Sequence, residues 1–499
     1  MHQKYDIVII GSGLGGLMSG LILAKEGKRV AIIEKNSQFG GNLQTFVRNR
    51  TLFDTGVHYV GSLESGQTLY NYFSYAGIMQ QLDLERMPIE GYDHICFGKE
   101  VIEYPHAQGY ENFVEQLSFY FPKEHNAIEQ YITKIQEVCN CFPLYRFHLD
   151  GSYDEHLLSE PLTDFLSMIT SDKRLQAVLL GNNFLYAGTR AYTPLYLHAL
   201  SVNSYIESAW RLKKGGSQIT YLLLQQLEKL GVSLFKENEA LAFEYRNEKV
   251  YSVITSQQKK YIADHFISDI DIKQLVRLVG KEYFKPSYFN RIERLTPVTS
   301  VFSLYLVLKS DTFPYIPYNV YWFKDTQSVW GSPYYTENDF PSFYMLSMNP
   351  SKNREGYADN MTIMTYMNEK EVNQWIHTSN MVSQPQDRGE EYEVFKKEKT
   401  EQLLKIVEGK FPQIRNSIAY MYTSTPLTYR DYIGSPTGAL YGYEKNVYKI
   451  LHSRIIPQTH IPNLYVTGQT VNMHGLVGVT IGAVLTCMAL LKKKINGIG

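Results

Sequence analysis

Residues 4–34 limit what this chain can fold into more than any other stretch does. The run Ile7-Val8-Ile9-Ile10 has the length and β-branching of a buried parallel strand. Gly11-Ser12-Gly13-Leu14-Gly15-Gly16 follows at once, and its glycines at 11, 13 and 16 fit G-x-G-x-x-G. The three serve a tight turn, close approach of backbone to a pyrophosphate, and helix–strand contact. Apolar residues 17–24 read as a helix whose opening N–H groups and dipole face phosphate. A second strand, Val30-Ala31-Ile32-Ile33, ends at Glu34 with Lys35 beside it. That is roughly the 20-residue offset at which a carboxylate takes ribose hydroxyls. A glycine motif alone is weak, because glycine-rich turns are common. Strand, glycines, helix, strand and acid in order point to a dinucleotide site around Gly11, Gly13, Leu14, Gly15, Gly16, Glu34 and Lys35.

With 499 residues the chain exceeds one compact core, so two or three domains are expected. A hydrophobic content of 44% with 20% charged residues excludes a disordered chain. The formal net charge of −1 gives no electrostatic case for nucleic acid. Cys96, Cys139, Cys141 and Cys487 form no C-x-x-C pair, and Cys139-x-Cys141 is too tight for a usual zinc half-site. Reduced thiols, no metal and a cytoplasmic protein are therefore expected. No secretory cleavage region precedes the first strand, and no run reaches the ~18 apolar residues of a membrane helix. The nearest, residues 476–491 before Lys492-Lys493-Lys494, is interrupted by glycines and threonines. The 40 tyrosines admit two readings. Their rings fill a core with polar tips bonded, or they line a channel for a long, flat apolar ligand.

Further on come Phe39-Gly40-Gly41-Asn42-Leu43 and Phe53-Asp54-Thr55-Gly56-Val57-His58-Tyr59-Val60-Gly61, glycine-rich loops running into short strands. A one-site nicotinamide dehydrogenase has no need of this second cluster, whereas a longer flavin cofactor does. These motifs resemble the phytoene desaturase and retinol saturase superfamily of FAD-dependent oxidoreductases, and Asp-Thr-Gly-x-His-Tyr resembles the retinol saturase branch. Carotenoid desaturases and amine oxidases usually carry Arg after the paired glycines, where this chain has Asn42. Pro194 and His198, Thr425-Pro426-Leu427-Thr428, and Pro436-Thr437-Gly438-Ala439-Leu440-Tyr441-Gly442-Tyr443 are also similar to that branch.

The resemblance implies an α/β fold: a Rossmann-type, amine-oxidase-like FAD-binding domain, a mixed-sheet substrate domain and a helical insertion. The expected division is 1–70, 195–290 and 455–499 for the discontinuous FAD domain, 71–194 for a helical insertion or lid, and 291–454 for the β-rich substrate domain. Periodicity agrees that residues 70–190 are mostly helical, either a cover over the site or a purely structural bundle. Residues 301–308 alternate in part, as a sheet with one face on a core would, and residues 390–407 read as a charged helix with a solvated face. By alignment to the family, Gly41, Asn42, Ala240, Gly468, Gly478 and Val479 join the cofactor residues, as do His58 and Tyr59. His474-Gly475-Leu476 would open a helix at the flavin's pyrimidine edge, where its partial positive charge steadies the reduced ring. A helix buried in the FAD domain explains residues 476–491 better than a membrane anchor does.

The resemblance further implies reduction of a carbon–carbon double bond in a conjugated apolar substrate, a retinoid, carotenoid or other polyene. Hydride goes to one carbon and a proton to its neighbour, which calls for a positioned acid. His58, Tyr59, Tyr441 and His474, with Tyr443, are the catalytic candidates because their motifs flank the expected ring; each is equally readable as a packing residue. His198 has a lesser claim, since a lone histidine is more often a bonded core residue. One nucleotide fingerprint leaves NAD(P)H, a quinone or a carrier protein as a transient electron donor. Three functions stay open: a saturase, a carotenoid-type desaturase or isomerase on the same machinery, and an isoprenoid-binding protein without redox work. An apolar substrate fits peripheral attachment at the membrane, through the helical region or residues 492–494, and equally a freely soluble enzyme. The oligomeric state is left open.

Overall fold

A computed structural model describes residues 4–151 and 153–499. Its first sheet is organised by the opening motif. The spatial order is Ser233–Phe235, Val30–Ile33, Lys4–Ile10, Lys260–Ser268, Lys249–Thr255, Ala240–Arg246, with Leu464–Val466 also paired to Lys260–Ser268. The first four strands and Leu464–Val466 run parallel, and the last two turn back antiparallel. Apolar runs without polar alternation are what such strands need, since both faces are covered. Ile7, Ile9, Val30 and Ile32 pack under the helices Leu14–Lys25, Ser217–Lys229 and Gly475–Leu491. Val8, Ile10, Ala31 and Ile33 face the helix Ile272–Val279 on the other side.

The C-terminal helix Gly475–Leu491 lies against Leu14–Lys25, where Cys487 reaches the Ser19 carbonyl at 3.6 Å. This burial answers the apolar run, and no helix among the described residues is long and apolar enough to cross a membrane. Of the lysines after it, Lys493 pairs with Glu26 and Lys494 with Asp150.

A second sheet has the order Ile418–Ser424, Ser300–Leu308, Ala358–Met367, Phe343–Pro350, Asn319–Phe323, Asp93–Phe97, Glu103–His106. It is antiparallel except for Asn319–Phe323 beside Asp93–Phe97, and so is mixed, as expected. Three differences from the sequence reading stand out. First, the region read as helical supplies two strands to this sheet, because the alternating Asp93–Phe97 and Glu103–His106 are too short to register as helix or strand by period alone. Second, every residue of Ser300–Leu308 is buried. Phe302, Leu304 and Leu306 pack on Leu403, Leu404 and Val407 of the helix Glu390–Lys410, and Val301 faces the helical region. Third, the helix Leu195–Glu207 shares one buried cluster with Tyr110–Tyr120, His125–Asn140 and Leu162–Ile169 and with the sheet's Tyr321, Phe323 and Phe343. The helices thus form the second layer of the mixed sheet, with a common core.

Candidate active site

The parallel strands Lys4–Ile10, Val30–Ile33, Lys260–Ser268 and Leu464–Val466 all end at one cavity of about 560 Å³. Ligands in open parallel sheets bind beyond the carboxyl ends of the strands, where crossovers diverge and leave a crevice. The residues that follow each strand line it: Gly11 to Gly15, Glu34 to Asn36, Asp269 to Asp271, and Thr467 to Thr470.

Two helix N-termini open on the cavity, at Leu14 and at Gly475. Neither has a side-chain cap or an acidic residue in its first turn, so both present the positive end of a dipole, with the Gly13 and Gly16 N–H groups of the first turned to the buried Asp269 carboxyl. Side chains are excluded from the floor between them. A Cβ on Gly13 would lie 2.6 Å from Asp269 Oδ2, and one on Gly15 would lie 2.7 Å from the Gly468 nitrogen. Glu34 is buried, with Oε2 accepting from Ser12 N at 3.0 Å and Ser12 Oγ at 2.6 Å, and Oε1 accepting from Asn36 N at 2.8 Å. Lys35 Nζ donates to the Asp431 carbonyl at 2.8 Å, and burial lowers its pKa. Asp269, enclosed beneath the glycine loop, is pushed up to about 7 by that burial.

Where the cavity meets the mixed sheet and its helices, the lining becomes aromatic and apolar, with Phe184, Tyr205, Tyr321, Met345, Met364 and Tyr441. The tyrosines divide between two places. Tyr72, Tyr131, Tyr145 and Tyr344 fill cores, while Tyr59, Tyr205, Tyr321, Tyr429, Tyr432 and Tyr441 line the cavity. His58 lines it too, and its Nε2 is buried with no hydrogen-bond partner among the described residues. Burial, and secondarily Arg211, push this imidazole down to about 4, so it is neutral near pH 7.

The cavity brings together Gly11, Gly13, Leu14, Gly15, Glu34, Lys35, Gly41, Asn42, His58, Tyr59, Ala240, Tyr441, Gly468 and Val479. Gly16 and Gly478 are not on its wall. A Cβ on Gly16 would meet the Gly11 carbonyl at 2.3 Å, and one on Gly478 would meet Met473 backbone at 2.8 Å, so both serve packing. His474 sits behind Tyr441, their rings stacked at 4.5 Å, and donates from Nε2 to the Leu185 carbonyl at 3.1 Å. Burial pushes it down to about 4, which suits a support for Tyr441 better than an acid. Tyr443 is not on the wall but donates to Asp271, which is. His198 is fully buried between the hydroxyls of Tyr131 and Tyr186, at 2.7 and 2.8 Å, and is a bonded core histidine.

Sequence reasoning passed over Tyr205 and Asp93, and met Tyr321 only within the aromatic run of the substrate domain's sheet, taken as a wall of the pocket, and Asp269 only as the end of a strand. Tyr205 and Tyr321 had no motif around them. Asp269 was legible as an acid directly after a parallel strand, the position Glu34 holds after Val30–Ile33. Asp93 stands outside the lining but touches it. Its Oδ2 accepts from Tyr59 at 2.8 Å and its Oδ1 from Asn319 Nδ2 at 2.8 Å.

Known proteins agree with this geometry. The family model of an NAD(P)-binding Rossmann-like domain matches residues 9–76. An all-trans-retinol 13,14-reductase of Danio rerio is 26% identical, across 98% of this chain and 86% of that protein. A chloroplastic prolycopene isomerase 1 of an Oncidium hybrid cultivar is 22% identical across 94% and 80%. Among solved structures, an oxidoreductase from Methanosarcina mazei superposes with a TM-score of 0.65 at 14% identity, over 98% of this chain and all of that one. Cyclohexylamine oxidase from Brevibacterium oxydans superposes at 0.59 and 14% identity over 98% of each chain, so the fold is amine-oxidase-like.

Proposed function

We propose that this chain, which belongs to the retinol saturase and phytoene desaturase-like family of FAD-dependent oxidoreductases, reduces a carbon–carbon double bond of a conjugated apolar substrate in the cavity described above. The observation that carries the reading is the continuity of that cavity. One wall is a dinucleotide floor without side chains, with two helix N-termini; the other is lined with aromatic and thioether side chains from the second sheet.

The residues present fit FAD. Gly13 and Gly15 line the cavity at the N-terminus of the helix Leu14–Lys25, where a pyrophosphate would lie. Glu34, fixed by Ser12 and Asn36, stands where ribose hydroxyls are taken, and Ala240 offers backbone to an adenine. Bound there, FAD supplies two-electron hydride chemistry. The protein's own part is to orient, to exclude water and to manage a proton. The N-terminus of Gly475–Leu491 places partial positive charge on the cavity, which favours an anionic ring. Phe184, Met345 and Met364 give a polyene apolar surface and keep water from it. Neutral His58 accepts or donates a hydrogen bond but has no imidazolium proton to give near pH 7, which leaves the tyrosine hydroxyls, themselves raised by burial, as the proton donors.

The test is an absorption spectrum of the purified protein, followed by anaerobic NADPH and then all-trans-retinol. Flavin bands that bleach with NADPH and recover with the retinoid are the expected result. Bands that ignore nicotinamide and bleach with a polyene would make it a desaturase. A cis-polyene rearranged without net bleaching would favour the isomerase that the Oncidium relative brings to mind. Absence of flavin would leave an apolar-ligand carrier.

A further inference from the structure

Behind the aromatic wall lies a hydrogen-bonded chain that ends at the cavity. Asp93, on the strand Asp93–Phe97, is fully buried. Tyr59 donates to its Oδ2 at 2.8 Å, and the Tyr59 oxygen is 2.7 Å from the Tyr321 oxygen. Tyr321 lines the cavity and has no other hydrogen-bond partner among the described residues. At the far end Asn319 donates to Asp93 Oδ1 and accepts from Arg211 Nη2 at 3.2 Å, while Arg211 Nη1 donates to the Met348 carbonyl at 2.6 Å. Asn319 therefore stands between the guanidinium and the carboxyl.

Each phenol has one proton, and a carboxylate only accepts. With Asp93 ionised, Tyr59 must donate to it, Tyr321 donates to Tyr59, and no proton faces the cavity. With Asp93 neutral the chain reverses. Asp93 donates to Tyr59, Tyr59 to Tyr321, and the Tyr321 proton is left for whatever occupies the cavity.

We propose that Tyr321 is the proton donor to the substrate and that Asp93, acting through Tyr59, is a positioning residue that sets the direction of this chain. The inference rests on the double-bond reduction proposed above. In the step, the Tyr321 O–H bond breaks and a C–H bond forms on one carbon, the O–H electron pair staying on the phenolic oxygen. Protons shift one place from Tyr59 and from Asp93, so the negative charge comes to rest on Asp93, which regains a proton from solvent between turnovers. The neighbouring carbon receives hydride, whose two electrons come from a reductant of the nicotinamide class. The groups that face Asp93 are Tyr59, Tyr321 and Tyr205 on the cavity side, Tyr92 before it in the chain, Asn182, Asn319, Arg211, and His106 opposite it in strand register. Burial outweighs Asn319, Tyr59 and Arg211 and pushes the carboxyl up to about 7, so both directions of the chain are populated near neutrality.

The experiment is the pH profile of kcat for NADPH-driven reduction of all-trans-retinol by the flavin-loaded full chain, in wild type, Asp93→Asn and Tyr321→Phe. Wild-type kcat is expected to fall above about pH 7. In Asp93→Asn the amide keeps accepting from Asn319 and always donates to Tyr59 but cannot release that proton, so kcat falls and the alkaline limb flattens. Tyr321→Phe is expected to lose roughly 10²–10⁴-fold at every pH with flavin content intact. A wild-type limb retained in Asp93→Asn, or an undiminished rate in Tyr321→Phe, overturns the proposal. Infrared difference spectra with isotope-labelled aspartate give a readout that needs no turnover. Burial also raises Asp54 and Asp269 to about 7, and both contribute to the neutral carboxyl band, so the readout is the part of the band that is lost in Asp93→Asn. That part should vanish as pH rises through neutrality, and identical bands in wild type and Asp93→Asn also overturn the proposal. A protein with that band but no turnover of any polyene would sink the reductase reading and leave the Asp93 switch standing.

Discussion

At the scale of single residues, the chemistry of this site depends on atoms that are missing as much as on those present. Gly15 shows it best. Its added Cβ would sit 2.6 Å from Asp269 Oδ1 and 2.8 Å from the Gly468 Cα, and backbone cannot step aside as a flexible side chain does. Gly15→Ala is therefore expected to fold but to force apart the glycine loop and the turn after Leu464–Val466. The ratio of flavin to protein absorbance should fall by about tenfold or more, equivalent to about 1.4 kcal/mol of binding. Wild-type flavin content in this variant would refute the close approach. The glycines and Glu34 were legible in the sequence because the chemistry of a phosphate turn prescribes their spacing. Tyr321 and Asp93 were not, because each acquires its meaning only from a partner far along the chain.

At the scale of elements, the helix Pro426–Ile433 couples the second sheet to the nucleotide site. Lys35 bonds the Asp431 carbonyl, and Asn36 Nδ2 donates to the Tyr432 carbonyl at 2.9 Å. Asp431 is in turn held by Arg388 in an ion pair whose side chains are 3% and 4% exposed. Replacing Arg388 with alanine leaves a buried carboxylate with Arg430 and Lys35 as its charged neighbours, at a cost of up to about 3–5 kcal/mol. Arg388→Ala is expected to lower the melting temperature and also to weaken flavin retention, because Lys35 and Asn36 lose their anchor. The double variant Arg388→Met with Asp431→Asn should recover much of the stability; calorimetry with and without added FAD checks both. A melting temperature unchanged in Arg388→Ala would show the pair to be dispensable. The Pro426 segment was recognisable by its residues, but its docking on Val30–Ile33 was not, since no local pattern encodes a contact some 400 residues away.

At the scale of the whole molecule, buried titratable groups set how stability depends on pH. His106, His198 and His474 are buried, and burial pushes them down to about 4, about 3 and about 4. Unfolded, they take protons near pH 6.5. Their contribution is thus complete above about 6.5 and is lost as pH falls toward 4. Asp93 acts in the opposite sense: raised to about 7, it contributes fully below its unfolded value near 3.8 and loses that contribution as pH rises to 7. His58 joins these histidines, and Asp54 and Asp269, raised to about 7, join Asp93. Four histidines against three carboxyls leave a net gain with rising pH between about 4.5 and 6.5, bounded at about 1.4 kcal/mol per pH unit for one unbalanced proton. Melting temperature should fall over that range on acidification, and more steeply in Asp93→Asn, which removes one of the opposing groups. A flat profile would mean that these histidines are charged in the folded protein.

The sequence by itself determined the nucleotide sheet, the glycine floor and the buried C-terminal helix, because each follows from a local rule: β-branched runs, a phosphate turn, an apolar stretch too interrupted to span a lipid core. Only the tertiary structure decided that Asp93–Phe97 and Glu103–His106 belong to the mixed sheet, that His198 bonds Tyr131 and Tyr186 while His474 stacks on Tyr441, and that Tyr59, Tyr321 and Asp93 form one chain. Hydrogen bonds between residues 34 and 262 positions apart depend on how two sheets and a helical layer close on each other. Closure of that kind leaves no periodicity behind, because the residues it joins are set by the packing of whole layers and not by their neighbours in sequence.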